Sequence, residues 1–143
     1  MKRTAPKVFF NASVILAGIR NPRGGSGKLL EWVRDKTILG IASEIILDES
    51  IRRSNKIGKT QNEVETLIKN IFSLLSAPSS KEVERWKNIV LDYGDCHVLA
   101  SSKQSQCSYL VTLDRKHLLS ISQKVVLFKI VSPKELIELI EKK

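Results

Sequence analysis

Two short apolar runs that each stop on a polar side chain constrain this chain more than any other feature. Lys7-Val8-Phe9-Phe10 stops at Asn11, and Tyr109-Leu110-Val111-Thr112-Leu113 stops at Asp114. Apolar runs that do not alternate with polar residues read as strands buried on both faces. Thr37–Ala42 and Val125–Ile130 are two further strand candidates of the same kind.

The segments between them carry helical signals. One helix is expected from about Ser26 to Lys36, with Leu29, Leu30 and Val33 on one face. Ser43 is a suitable N-cap for a helix with Ile45, Ile46, Glu49 and Ile51, which Gly58 interrupts. Across Asn62–Leu75, Val64, Leu67, Ile68, Ile71, Leu74 and Leu75 recur at the period of an amphipathic helix. Ala77-Pro78-Ser79-Ser80 ends it, and Lys81–Val90 reads as another helix with Val83 and Trp86 inward. Asp92-Tyr93-Gly94-Asp95 opens a helix through Lys103, and Ser132-Pro133-Lys134-Glu135 opens the last with a capping box. Strands alternating with helices predict an α/β fold, a mostly parallel central sheet flanked by helices in three layers.

A length of 143 residues fits one domain over 1–143. No run approaches the roughly 18 apolar residues of a membrane span. Lys2 and Arg3 lead to Pro6 and Lys7 rather than to an apolar signal core, so a cytoplasmic protein without membrane association is expected. Cys96 and Cys107 lack CxxC spacing and read as free thiols. The 24 Lys and Arg against 15 Asp and Glu leave a formal charge of +9, which favours nucleic acid, anionic lipid or an acidic protein as partner. Residues 1–60 hold 12 of the basic side chains and 5 of the acidic ones, which assigns a basic face to the N-terminal half.

In an open α/β sheet, ligands bind outside the carboxyl ends of the strands. Asn11 and Asp114 each follow a strand and are expected at that edge. Asp95 lies near a helix N-terminus, where taken alone it reads first as a capping acid. Glu49 is three and four residues beyond Ile46 and Ile45 and shares their apolar face, whereas Glu44, Asp48 and Arg52 form a solvated ladder. A carboxylate on an apolar face needs a partner, and Arg53 at i+4 is one candidate. Together Asn11, Glu49, Asp95 and Asp114 form a set that suits Mg2+ or Mn2+. Such an ion generates hydroxide and stabilises charge on a phosphodiester.

These stretches also carry a family resemblance. Val8-Phe9-Phe10-Asn11-Ala12-Ser13, Ser43 to Glu49, Asp92 to Ala100, Tyr109 to Asp114, and Val131-Ser132-Pro133-Lys134-Glu135 resemble, in order, the motifs of PIN-domain proteins. They are similar in particular to the VapC-like ribonuclease toxins of prokaryotic toxin-antitoxin pairs. The resemblance implies a metal-dependent endoribonuclease with a quartet of acids. Glu49, Asp95 and Asp114 match three of them, while Thr112 and Ser13 match hydroxyl residues beside the metal. Asn11 departs from the pattern and removes one negative charge. The resemblance further implies an antitoxin partner and a homodimer. Two rival readings stand beside it. One is a catalytically degenerate PIN fold that binds RNA or protein; the other is a flap-type DNA nuclease, against which the short chain without a helical arch argues.

Other signals are weaker. Gly24-Gly25-Ser26-Gly27-Lys28 is like a phosphate loop, but Leu29 replaces the needed hydroxyl and Pro22 the first glycine. The loop from Asn21 to Gly27 reads either as a linker or as a basic rim offering Arg20, Arg23 and Lys28 to RNA phosphates. His97 faces away from Asp95 on an ideal helix, and His117 has no companion at ligand spacing, so both read as structural or solvated. Trp32 and Trp86 read as core or interface residues. Leu136, Ile137, Leu139 and Ile140 exceed one narrow helix face and suit a sheet edge or a dimer contact.

Overall fold

The computed structural model describes residues 4–90 and 92–142, so Lys2 and Arg3 lie outside the described residues. Strand β1 (Lys7–Phe10) buries Val8, Phe9 and Phe10 completely, as expected where both sheet faces are covered. It pairs in parallel with β2 (Leu39–Ser43) on one side and with β4 (Tyr109–Val111) on the other. Strands β3 (Ser73–Leu75) and β5 (Lys129–Val131) complete a five-stranded, wholly parallel sheet in the order β3-β2-β1-β4-β5. From β1 the chain builds outward through β2 and β3, then returns to place β4 on the other side of β1. The direction of strand order therefore switches between β1 and β4, where an open sheet leaves a crevice at its carboxyl edge.

Helices flank the sheet. They are α1 (Ala12–Arg20), α2 (Gly25–Arg34), α3 (Glu44–Arg52), α4 (Gln61–Ile71), α5 (Ser80–Glu84), α6 (Cys96–Ser105) and α7 (Pro133–Glu141). The predicted capping signals are in place. Ser43 accepts from the Ile46 N–H at 3.2 Å, and Ser132 with Glu135 forms a reciprocal capping box with Pro133 in the first turn. Cys96 and Cys107 are free and buried.

Several element boundaries differ from the pattern reading, among them β4, which ends at Val111 rather than Leu113. The helix expected over Asn62–Leu75 ends at Ile71, and Phe72 turns extended to set its ring edge-on to Phe10 at 5.0 Å between centroids. The following three residues pair with Ile41–Ser43 as an edge strand, because apolar residues spaced for a helix face also serve a strand. Helix α5 covers only Ser80–Glu84, since Trp86 swings inward onto Phe128. The fourth predicted strand shrinks from Val125–Ile130 to Lys129–Val131: Val126 and Leu127 are 91% and 62% exposed, and β4 offers only three residues to pair with. Helix α2 begins at Gly25, inside the predicted loop. A Cβ on Gly27 would lie 2.3 Å from the Pro22 carbonyl oxygen, so this glycine serves a close helix-to-loop approach.

Candidate metal centre

At the switch between β1 and β4, backbone geometry places a polar side chain at each strand exit. Asn11 takes the N-cap position of α1, with its Oδ1 accepting from the Ala12 N–H at 2.9 Å. Only an oxygen can accept that proton, so the amide's orientation is determined. Its Nδ2 then donates to Thr112 Oγ1 at 2.8 Å. Thr112 is fully buried, and the same hydroxyl oxygen accepts from the Asp114 N–H at 3.0 Å. Asn11 and Thr112 thus form a hydrogen-bonded bracket across the two strand exits, and the bracket orients Asp114. Ser13 adds a longer contact, its Oγ accepting from the Leu113 N–H at 3.3 Å.

Asp95 arrives from the opposite wall. Asp92 caps the 3₁₀ turn Tyr93–Asp95 by accepting from the Gly94 N–H at 2.9 Å, and Asp95 stands at the N-cap of α6. Its side chain makes no capping hydrogen bond, and Asp95 Oδ2 is buried without a hydrogen-bond partner. The capping reading of this acid therefore fails. Burial raises its pKa above the ordinary carboxylate value, helped by the charges of Asp114 and Asp92 and opposed by His117. Glu49, on α3, lines the same hollow and meets the Arg53 guanidinium at 3.4 Å. Arg53 is half exposed, so this ion pair holds Glu49 only loosely.

Asn11, Ser13, Glu49, Asp92, Asp95 and Asp114 line one hollow of about 340 Å³ together with Arg53, His97 and His117. The expected quartet is therefore brought together. Thr112 acts from beneath it, as a positioning residue. The basic rim is not part of the hollow: Arg20 and Arg23 are exposed outside it, and Lys28 pairs with Glu141 at 3.0 Å and lies 5.4 Å from the Trp32 ring centroid.

The reading of His117 as a lone residue is corrected by the fold. Its Nδ1 lies 3.5 Å from Asp95 Oδ2 and 3.4 Å from Asp114 Oδ2, and its backbone N–H donates to Asp114 Oδ1 at 2.9 Å. Asp92, Asp95 and His117 offer ligand atoms that all lie within 4.8 Å of one another. Spacing held a usable signal: Asp92 with Asp95 and Asp114 with His117 are both i, i+3 pairs, which share a face in a helical turn. His97 also borders the hollow; burial depresses its pKa, and its Nδ1 has no partner.

The residues present fit a divalent cation. Carboxylates of like charge converge, one buried carboxylate oxygen has nothing to bond to, and hard oxygen donors are what such ions take. Asn11 fits less well as a ligand, because its oxygen is already engaged by the Ala12 N–H.

Comparison with known proteins agrees with this architecture. The PIN domain family profile matches residues 7–116. No curated protein sequence matches the chain. Among solved structures, PAE2754 from Pyrobaculum aerophilum superposes with a TM-score of 0.66 at 15% identity, covering 99% of this chain and 100% of its own. A toxin-antitoxin complex from Klebsiella pneumoniae gives 0.61 at 18% identity, covering 88% of this chain and 97% of the matched one. The Mycobacterium tuberculosis toxin VapC20, described as cleaving the sarcin-ricin loop, gives 0.54 at 12%, covering 76% and 90%. At these identities the likeness is one of fold.

Proposed function

The chain belongs to the PIN-domain family, and from that premise we propose that it is a divalent-cation-dependent endoribonuclease of the toxin type. The observation that carries this reading is the convergence of Glu49, Asp95 and Asp114 in one hollow at the β1/β4 switch. Glu49, Asp95 and Asp114 would hold Mg2+ or Mn2+, with Asn11 beside them. The bound ion supplies an activated water and stabilises charge on the phosphodiester in the transition state.

The chain's own groups do the rest. Asn11 and Thr112 hold Asp114 in place through the hydrogen bonds described above. Arg53, beside Glu49, lines the hollow and is suited to donate to a phosphate oxygen. Arg20 and Arg23, exposed outside the hollow, supply non-specific attraction for an RNA backbone, in keeping with the formal charge of +9. Lys28 contributes only by leaving Glu141.

The toxin-antitoxin neighbour supports an antitoxin-type protein partner, which on this reading would cover the acidic hollow. A homodimer and a cytoplasmic location belong to the same reading. Among the described residues no helix is long and apolar enough to cross a membrane.

A second reading is favoured by one observation: both ends of the Asn11 amide are engaged, so the site has lost a charge and gained a bracket. On that reading the fold binds RNA or protein without cutting. Cleavage of a mixed RNA substrate in Mg2+ or Mn2+ by the chain and by Asn11→Asp separates the two. Metal-dependent cleavage that Asp95→Asn and Asp114→Asn abolish supports the nuclease. Silence of both chains in every metal, with RNA still bound in EDTA, supports the binding module and sinks the nuclease.

A further inference from the structure

We propose that His117 ligates the same cation as Asp95 and Asp114 through Nδ1, making a mixed nitrogen–oxygen site that prefers first-row transition ions to Mg2+. The inference rests on the reading above that this hollow holds a divalent ion.

The distances carry it. Nδ1 stands 3.5 Å from Asp95 Oδ2 and 3.4 Å from Asp114 Oδ2. A charge-assisted hydrogen bond between imidazolium and carboxylate is shorter, about 2.7–2.9 Å. Two donors that share one ion through bonds of roughly 2.1 Å lie about 3.0 Å apart at right angles and about 3.4 Å apart at the tetrahedral angle. His117 is thus too far for a strong ion pair and well spaced for joint ligation with either acid. The carboxylate oxygen it faces, Asp95 Oδ2, is buried and has no hydrogen-bond partner, which leaves it free as a donor beside the ring nitrogen. The ring is held there by the backbone bond from His117 to Asp114 Oδ1 at 2.9 Å. Asp92 adds a third donor, within 4.8 Å of those of Asp95 and His117.

Chemistry then decides the ion. Imidazole suits Zn2+ and its transition-metal neighbours, while Mg2+ takes oxygen donors and keeps its waters. Replacing part of an oxygen set by a ring nitrogen shifts preference from Mg2+ toward Co2+, Zn2+ and Mn2+. It also offsets a ligand deficit at Asn11, whose oxygen is occupied.

The rival account makes His117 a protonated counter-ion to two acids, and it predicts the opposite response to removing the ring. The test uses the full chain. Electron spin-echo spectra of the Mn2+-loaded protein report nitrogen coupling to the ion, and calorimetric titration with Co2+ and with Mg2+ reports selectivity. The chain has two histidines, so His117→Gln and His97→Gln assign any coupling between them. We expect nitrogen coupling that persists in His97→Gln and vanishes in His117→Gln. We also expect His117→Gln to weaken Co2+ about 10–100-fold, while Mg2+ changes less than about threefold. Coupling lost only in His97→Gln, or cation binding with no nitrogen coupling and equal changes for both ions, overturns the proposal and leaves an oxygen-bound ion standing. Absence of any cation binding in all chains overturns it together with the reading on which it rests.

Discussion

The two edges of the sheet carry hollows of similar size and opposite character. At the amino edge, Ile38, Leu39, Ile41, Ile71 and Leu75 line a cavity of about 420 Å³ with Lys7 and Lys36 at its margin. At the carboxyl edge, the smaller hollow of about 340 Å³ collects carboxylates, two imidazoles and a guanidinium. The larger cavity is the one without chemistry. What separates them is strand direction: all five strands are parallel, so every chain exit from the sheet falls on one edge, and with it the loops that can present polar groups. The amino edge receives the chain through apolar residues that serve packing.

The contrast breaks most sharply if substitutions at the carboxyl edge cost activity without costing stability. Asp95→Asn is expected to lower metal-dependent cleavage by about 10³-fold or more, roughly 4 kcal/mol of transition-state stabilisation. In the same variant the metal-free protein gains stability, because a part-buried carboxylate beside other acids is removed. A melting temperature about 2–4 °C higher corresponds to a gain near 1 kcal/mol. A lower melting temperature would mean that Asp95 is structural.

At the amino edge the reverse pattern is expected. A Cβ on Gly40 would come within 2.8–2.9 Å of Val33 and the Phe72 ring, so Gly40→Ala should cost about 1–3 kcal/mol by overpacking while metal affinity stays unchanged. Denaturant melts beside a metal titration check both halves. A change in affinity would show that the two edges are coupled.

Asn11→Asp sharpens the comparison within the site itself. The variant loses the Nδ2 donor to Thr112 and adds a fifth acid to the hollow, so metal-free stability should fall by about 1–2 kcal/mol while cation affinity rises. Calorimetry with and without metal measures the exchange, and equal stability in both states would argue against the bracket.

The smallest expected effect is in pH. The pKa of Asp95 is raised in the folded protein, so its contribution to stability is present below the unfolded carboxylate value of 3.8 and is lost as pH rises through the folded value. The melting-temperature difference between Asp95→Asn and the original chain should therefore be largest near neutrality and shrink on acidification. Cation affinity should fall over the same acid window. A difference that is flat with pH would remove the assigned cause.

Much of this was legible beforehand. The runs Lys7–Phe10 and Tyr109–Leu113 read as buried parallel strands, the second of which pairs only as far as Val111, and Ser43, Ser132 and Glu135 declared their helix starts. Asn11, Glu49, Asp95 and Asp114 could be chosen because each follows a strand, sits on an apolar helix face or stands near a helix N-terminus. The edge strand Ser73–Leu75 could not be read, since its apolar spacing also completes a helix face and only pairing with Ile41–Ser43 decides between them. The sequence offers Lys28 to phosphate, and Glu141, 113 residues away, claims it.

Local sequence determined the elements, their caps and the types of side chain at each strand exit, because those depend on neighbours within a few residues. The partners across the sheet were left to tertiary structure. That the Asn11 amide spends its donor on Thr112, that Asp95 Oδ2 is left without a partner, and that His117 stands between Asp95 and Asp114 all follow from β4 settling beside β1. The Asn11–Thr112 contact spans 101 residues and is set by packing and strand order, which no local pattern in the chain encodes.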